Sequence, residues 1–146
     1  MRYTAIKLFG LCLGLFLFLS VASVAVHAEA PNVWVVVDKD ESQTVLVDRA
    51  NVTDIGNGVR QAWVQFSYSK KTPEGAMSSI GLFHFVKNPD RLRNVQDALF
   101  DASGNTIYVR RPEKLEEWSP IPPDSTGQPV IDYVFSATVS GSAEGK

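Results

Sequence analysis

The sequence holds a single cysteine, Cys12, inside an apolar stretch near the N-terminus. The rest of the chain therefore has no thiol, which excludes an internal disulfide, a cysteine nucleophile and any zinc site built on cysteine. Histidine is nearly as scarce, since beyond residue 28 only His84 is present. His84 sits between Phe83 and Phe85, where a sheet-facing histidine is expected and no positioned partner for proton transfer is evident. Basic charge is also short: beyond residue 28 there are 12 basic and 16 acidic residues, a net charge of −4. That balance excludes the broad cationic footprint of a nucleic-acid binder or an anionic-membrane binder.

The first 28 residues set the compartment. Arg2 and Lys7 precede an uncharged apolar run, Leu8 to Val26, that closes on Val26-His27-Ala28. This order predicts a secretory signal peptide over residues 1–28, cleaved after Ala28. An uncleaved anchor is the competing reading, because the run is just long enough to span a bilayer. Lipid attachment at Cys12 is not expected, since bulky Leu11 precedes it and most of the apolar run is still to come. Glu29 to Lys146 would then be one exported domain, in the periplasm or at the cell surface, with no stable membrane insertion after cleavage.

Beyond the leader the hydrophobic period is two. Val33-Trp34-Val35-Val36-Val37 and Thr44-Val45-Leu46-Val47, split by the polar turn Asp38 to Ser42, predict a hairpin. Gly56-Asn57-Gly58 supplies a tight turn before Val59 to Ser69, which alternates Ala62, Val64, Phe66 and Tyr68 with Gln61, Trp63, Gln65 and Ser67. Met77 to Val86 and Thr106 to Arg110 read as further strands, and the turn Asp101 to Asn105 resolves the ambiguous Arg91 to Phe100 as a strand too. After Arg111 five prolines (112, 120, 122, 123 and 129) exclude a sheet interior. One helical turn is expected over Glu113 to Trp118, and a helix over Thr126 to Ala137 capped by Asp124 or Ser125, with Pro129 in its first turn. Residues 29–139 are thus predicted as an α+β domain, mainly β. It has one antiparallel sheet of about six strands, a C-terminal helix packed on one face, and a disordered tail over 140–146.

Few residues offer chemistry. Asp38, Asp40 and Glu41 lack the glycine and terminal glutamate of a calcium loop and read as a solvated turn. Asn51-Val52-Thr53 matches a glycosylation acceptor but reads as a loop. No catalytic, metal or cofactor residues are assigned, and no cofactor is expected. The candidate partner-binding residues are the basic pairs Lys70 and Lys71, Arg91 and Arg93, and Arg110 and Arg111, which would grip an acidic partner if they converge. Solvated or edge-protecting charge is the alternative. Of Trp34, Trp63 and Trp118, at least two are expected in the core, since exposed tryptophans otherwise mark interfaces.

The order of these features resembles the surface-adhesin protein E family of small exported Gram-negative proteins. The matching pieces are Trp34, Val47-Asp48 followed by Asn51-Val52, Trp63, Phe100-Asp101 before Ser103-Gly104, and Trp118 to Ser125 ahead of the helix. The resemblance implies a non-enzymatic binding protein that attaches to host matrix or plasma proteins, often as a homodimer. The family commonly ties its helix to the sheet with a disulfide, which this chain lacks. The helix is therefore expected to be held by Val130, Ile131, Val134 and Phe135 alone, at about 1.5–3 kcal/mol for each fully buried side chain. The alternative function is a periplasmic structural or accessory protein with an envelope partner.

Overall fold

The computed structural model describes residues 31–139; the predicted signal peptide, Cys12 and the predicted tail over 140–146 lie outside the described residues. Six strands form the main sheet in the order β1-β2-β4-β5-β6-β7, all antiparallel. They are β1 (Trp34–Lys39), β2 (Gln43–Asp48), β4 (Val59–Tyr68), β5 (Ser78–Val86), β6 (Arg91–Phe100) and β7 (Thr106–Arg110). Two strands of two residues each raise the count to eight: β3 (Thr53–Asp54) pairs with β4, and β8 (Ser119–Pro120) pairs with β6. Each lengthens an edge that β2 or β7 leaves open, a pairing too short to show as periodicity.

The turns follow their residues. Asp40 Oδ1 accepts from Ser42 N at 2.6 Å, Ser42 Oγ at 2.7 Å and Gln43 N at 2.9 Å, so the acidic turn caps itself and joins β1 to β2. Asp101 does the same between β6 and β7, accepting from Ser103 N and Asn105 N, each at 2.8 Å. Gly56, Asn57 and Gly58 all take positive φ, as a tight turn before β4 requires.

The helix α1 (Gly127–Ser136) lies on one sheet face and buries Val130, Ile131 and Val134. They close the core with Val45, Val47, Val52, Ala62, Val64, Phe85 and Ile121. Thr126 occupies the N-cap with its Oγ1 accepting from Gln43 Nε2 at 3.2 Å rather than capping the helix, whereas Asp124 turns at φ 60° and Ser125 Oγ donates to Pro122 O at 2.7 Å. The predicted caps serve the approach loop instead. No helical turn forms over residues 113–118; that segment runs irregularly to β8, because the prolines at 112 and 120 confine it to an edge.

Hydrophobic contact is not the sole attachment of the helix. Arg60, on β4, donates through Nη1 to Val134 O at 2.6 Å and Ala137 O at 3.1 Å, and its guanidinium lies 5.1 Å from the centre of the Phe135 ring. Lys87 pairs with Asp132 at 2.6 Å, and Gln128 Nε2 donates to Asp90 Oδ2 at 3.0 Å. The expectation of four apolar side chains alone is therefore corrected. A polar residue at an apolar-face position supplies a helix C-cap that periodicity cannot signal.

Candidate functional site

The helix covers one sheet face and leaves the other open. Strand register assigns Trp34 and Val36, Leu46, Gln61, Trp63 and Gln65, Ile80, Leu82 and His84 to the open face, because directly paired residues share a side. A bulge between Leu82 and Phe83 shifts β6 by one residue, so Arg91 and Arg93 share the open face with Gln96, Ala98 and Phe100. Val109 pairs with Ala98 and joins them. None of the three tryptophans belongs to the buried core; all are partly exposed. The expectation of core tryptophans is overturned because valine, alanine and phenylalanine side chains already fill the space under α1.

A cleft of about 250 Å³ opens on this face, lined by the apolar Trp63, Ile80, Ala98, Phe100 and Val109 and by the polar Gln96, Asp97 and Arg111. Beside it three open-face side chains form a chain across the sheet. His84 Nε2 meets Gln61 Oε1 at 3.1 Å, and Arg93 Nε donates to His84 Nδ1 at 3.2 Å. Since Nδ1 accepts from Arg93, Nε2 carries the proton and donates to Gln61. The Arg93 guanidinium then stacks over Trp118 at 4.4 Å from the ring centre. Burial, and after it the Arg93 charge, hold the His84 pKa below its ordinary 6.5. Both ring nitrogens have partners other than a serine or a carboxylate, so His84 is not arranged as a catalytic base.

The six basic candidates do not converge. Lys70 and Lys71 follow β4 at one end of the sheet, where both are exposed. Arg91 and Arg93 start β6 at the opposite end, since Arg91 pairs with Val86 while Ser78 pairs with Phe100. Arg110 is bound to Asp97 at 2.9 Å and to Glu116, and those two carboxylates hold its pKa above the ordinary value. Arg111 lines the cleft. Arg93 and Arg111 thus flank the open face, Arg110 is neutralised, and the lysines stand apart. Trp63 was readable in sequence as the apolar exception on a polar face; the cleft around it was not.

Asp48 is buried completely. Its Oδ1 accepts from Val33 N at 2.9 Å and Ala50 N at 3.1 Å, and its Oδ2 from Asn51 Nδ2 at 2.6 Å. The motif Asp48 to Asn51 is therefore a structural knot that ties the start of the first strand to the bend after the second, and Asn51 is used inside it. Among the described residues, no group of three His, Cys, Asp or Glu side chains could hold a metal ion. Nor is any described helix long and apolar enough to cross a membrane.

A family model described as surface-adhesin protein E matches residues 34–134. No curated protein sequence matches the chain. Among solved structures, Haemophilus influenzae protein E is similar at 13% sequence identity and a TM-score of 0.51, covering 73% of this chain and 86% of that one. At that identity the likeness shows the shared fold.

Proposed function

The chain belongs to the surface-adhesin protein E family, and from that premise we propose that it is an exported, non-enzymatic binding protein that attaches to host matrix or plasma proteins at the cell surface. The observation that carries this reading is the uncovered sheet face. Trp34, Trp63 and Val109 stand there partly or largely exposed, on the same face as Arg93 and Arg111. Aromatic and arginine side chains on one preformed surface are the residue types that dominate protein interfaces. A rigid sheet also offers them with little ordering cost on binding.

Location and binding test the reading together. Intact producing cells are treated with protease while a tag placed after Gly145 is followed beside a periplasmic marker. The purified domain, residues 29–146, is applied to immobilised matrix extract and plasma proteins. Loss of the tag with the marker preserved, and saturable capture, is the expected result. Protection until the outer membrane is broken would overturn it in favour of a periplasmic accessory protein. Light scattering at micromolar concentration reads the homodimer that belongs to the same proposal.

A further inference from the structure

Between β7 and β8 the chain runs as an irregular strap, residues 111–118. Glu116 is tied to Arg110 at the end of β7. Past the strap, Ser119 and Pro120 pair with Leu92 and Arg91, and Ile121 N donates to Asp90 O at 3.0 Å. Glu113, Lys114, Leu115 and Glu117 are exposed. Trp118 is the strap residue that meets the open face, with its ring centre 4.4 Å from the Arg93 guanidinium.

What aims Arg93 at that ring is His84. Nδ1 of His84 accepts from Arg93 Nε at 3.2 Å, and Nε2 is used by Gln61 at 3.1 Å. The arrangement requires a neutral ring, because only an unprotonated Nδ1 can accept. A proton there would face the Arg93 Nε–H donor to donor and set two positive charges in contact.

The surroundings do not offset that charge. On β4, Gln61 has Val59 and Trp63 as its open-face neighbours, and on β3 Thr53 lies opposite Gln61 while Asp54 pairs with Arg60 on the helix side. Along β5 the neighbours are Leu82 and Val86, and β6 contributes Arg93 and Arg91. Among the described residues, no carboxylate faces the ring from these strands. Burial, and then Arg93, already lower its pKa. A stack on one partly exposed ring is weaker than repulsion between touching cations, so Arg93 is the side chain that yields. Once it turns away the ring is easier to protonate, so release and protonation promote each other.

We propose that Trp118 and Arg93 form a latch that holds the strap on the open face while His84 is neutral, and that protonation of His84 opens it, freeing both side chains for the partner this face binds. Tryptophan and arginine are residue types that dominate protein contacts, and in the closed latch they are spent on each other. The inference rests on the binding reading above and adds its regulation.

The test follows Trp118 in the exported chain, residues 29–146, with Trp34→Phe and Trp63→Phe leaving it as the one tryptophan. Between pH 7.5 and 5 its quenching by acrylamide should rise, with a midpoint below the ordinary 6.5 and an unchanged circular dichroism spectrum. His84→Gln offers a carbonyl to Arg93 and an amide to Gln61 but does not titrate, and should hold Trp118 at its pH 7.5 accessibility throughout. Arg93→Gln should leave Trp118 accessible at every pH. If the double variant does not fold, the indole N–H signal of Trp118 in the native chain is followed by NMR instead. A Trp118 that does not respond, responds equally in His84→Gln, or responds only as the circular dichroism signal is lost would overturn the latch.

Capture of matrix and plasma proteins is then compared at pH 7.5 and 5.5, with the native chain read against His84→Gln at each pH so that titration of the partner cancels. Native capture should gain on the variant in acid, by at most about tenfold per pH unit for a switch of one proton. A constant ratio while Trp118 moves would overturn the regulation and leave the binding reading standing. Absence of capture at both pH values would overturn the binding reading and the regulatory role with it, while the Trp118 titration still decides the latch.

Discussion

Arg60 reaches from the fourth strand to Val134 and Ala137 and closes the C-terminus of α1 with two hydrogen bonds from one nitrogen, at 2.6 and 3.1 Å. A charged donor on carbonyls that would otherwise lack partners combines a cap with a favourable interaction with the helix dipole. In a domain without cysteine, this joins the Lys87–Asp132 and Gln128–Asp90 contacts as a polar link between helix and sheet.

Arg60→Ala is expected to cost about 1.5–3 kcal/mol, the range for a hydrogen bond to a charged group, with added loss from uncovering Phe135. Arg60→Lys should recover only part of it, because an ammonium cannot hold two carbonyls and lie flat on the ring together. Urea unfolding of both variants measures this. Equal stability of Arg60→Ala and the native domain would remove the clamp from the account.

Asp48→Ala should destabilise by about 2–4 kcal/mol, because it empties a fully buried position and removes the acceptor that holds Val33 N, Ala50 N and Asn51 Nδ2 together. Hydrogen exchange should rise first in residues 33–36, where the strand loses its anchor. Unchanged protection there would show that the knot is incidental.

His84 predicts a pH dependence. Its folded pKa lies below 6.5, so its contribution is fully present above pH 6.5, and stability declines as pH falls from there through the depressed folded value. Protonation would also set Nδ1–H against the Arg93 Nε–H and disturb the stack on Trp118. The aspartates with lowered pKa, Asp40, Asp101 and Asp132, act in a separate window below their ordinary 3.8. His84→Gln should flatten the urea midpoint between pH 7.5 and 5 and leave the acid limb unchanged. A native midpoint that does not move over that range would refute the assignment.

Gly81 lies under the ring of Phe83, where an added Cβ would come within 2.5 Å of Cε2. Gly81→Ala is expected to cost about 1–3 kcal/mol by overpacking, and much less in a Phe83→Leu background. A double-mutant cycle checks it, and additive effects would mean that the ring moves aside freely.

Binary alternation made the sheet legible. Once Ala62, Val64, Phe66 and Tyr68 alternate with Gln61, Gln65 and Ser67, Trp63 excepted, a single buried face follows, and the glycine and asparagine turns fix where strands end. The helix was legible from Val130, Ile131 and Val134 because their spacing makes one apolar stripe. Local signals of this kind act between residues near in sequence, and the sequence carries them completely.

What the chain order alone leaves open is set by contacts between distant residues. Periodicity predicts that Arg91 and Arg93 share a side, but only the bulge at Leu82 and Phe83 keeps Ala98 and Phe100 on that side with Ile80. Arg60 and Val134 are 74 residues apart, and Arg93 and Trp118 meet across a proline-rich segment with no period to read. By itself the sequence determined that the domain is an antiparallel sheet with one helix and no disulfide, since pattern and the absence of cysteine suffice for that. Tertiary structure decided that the tryptophans stay out of the core, that Arg110 is paired with Asp97 and Glu116, and that Arg60 closes the end of the helix. Each of those depends on register and long-range packing, where a shift of one residue sends a side chain to the other face.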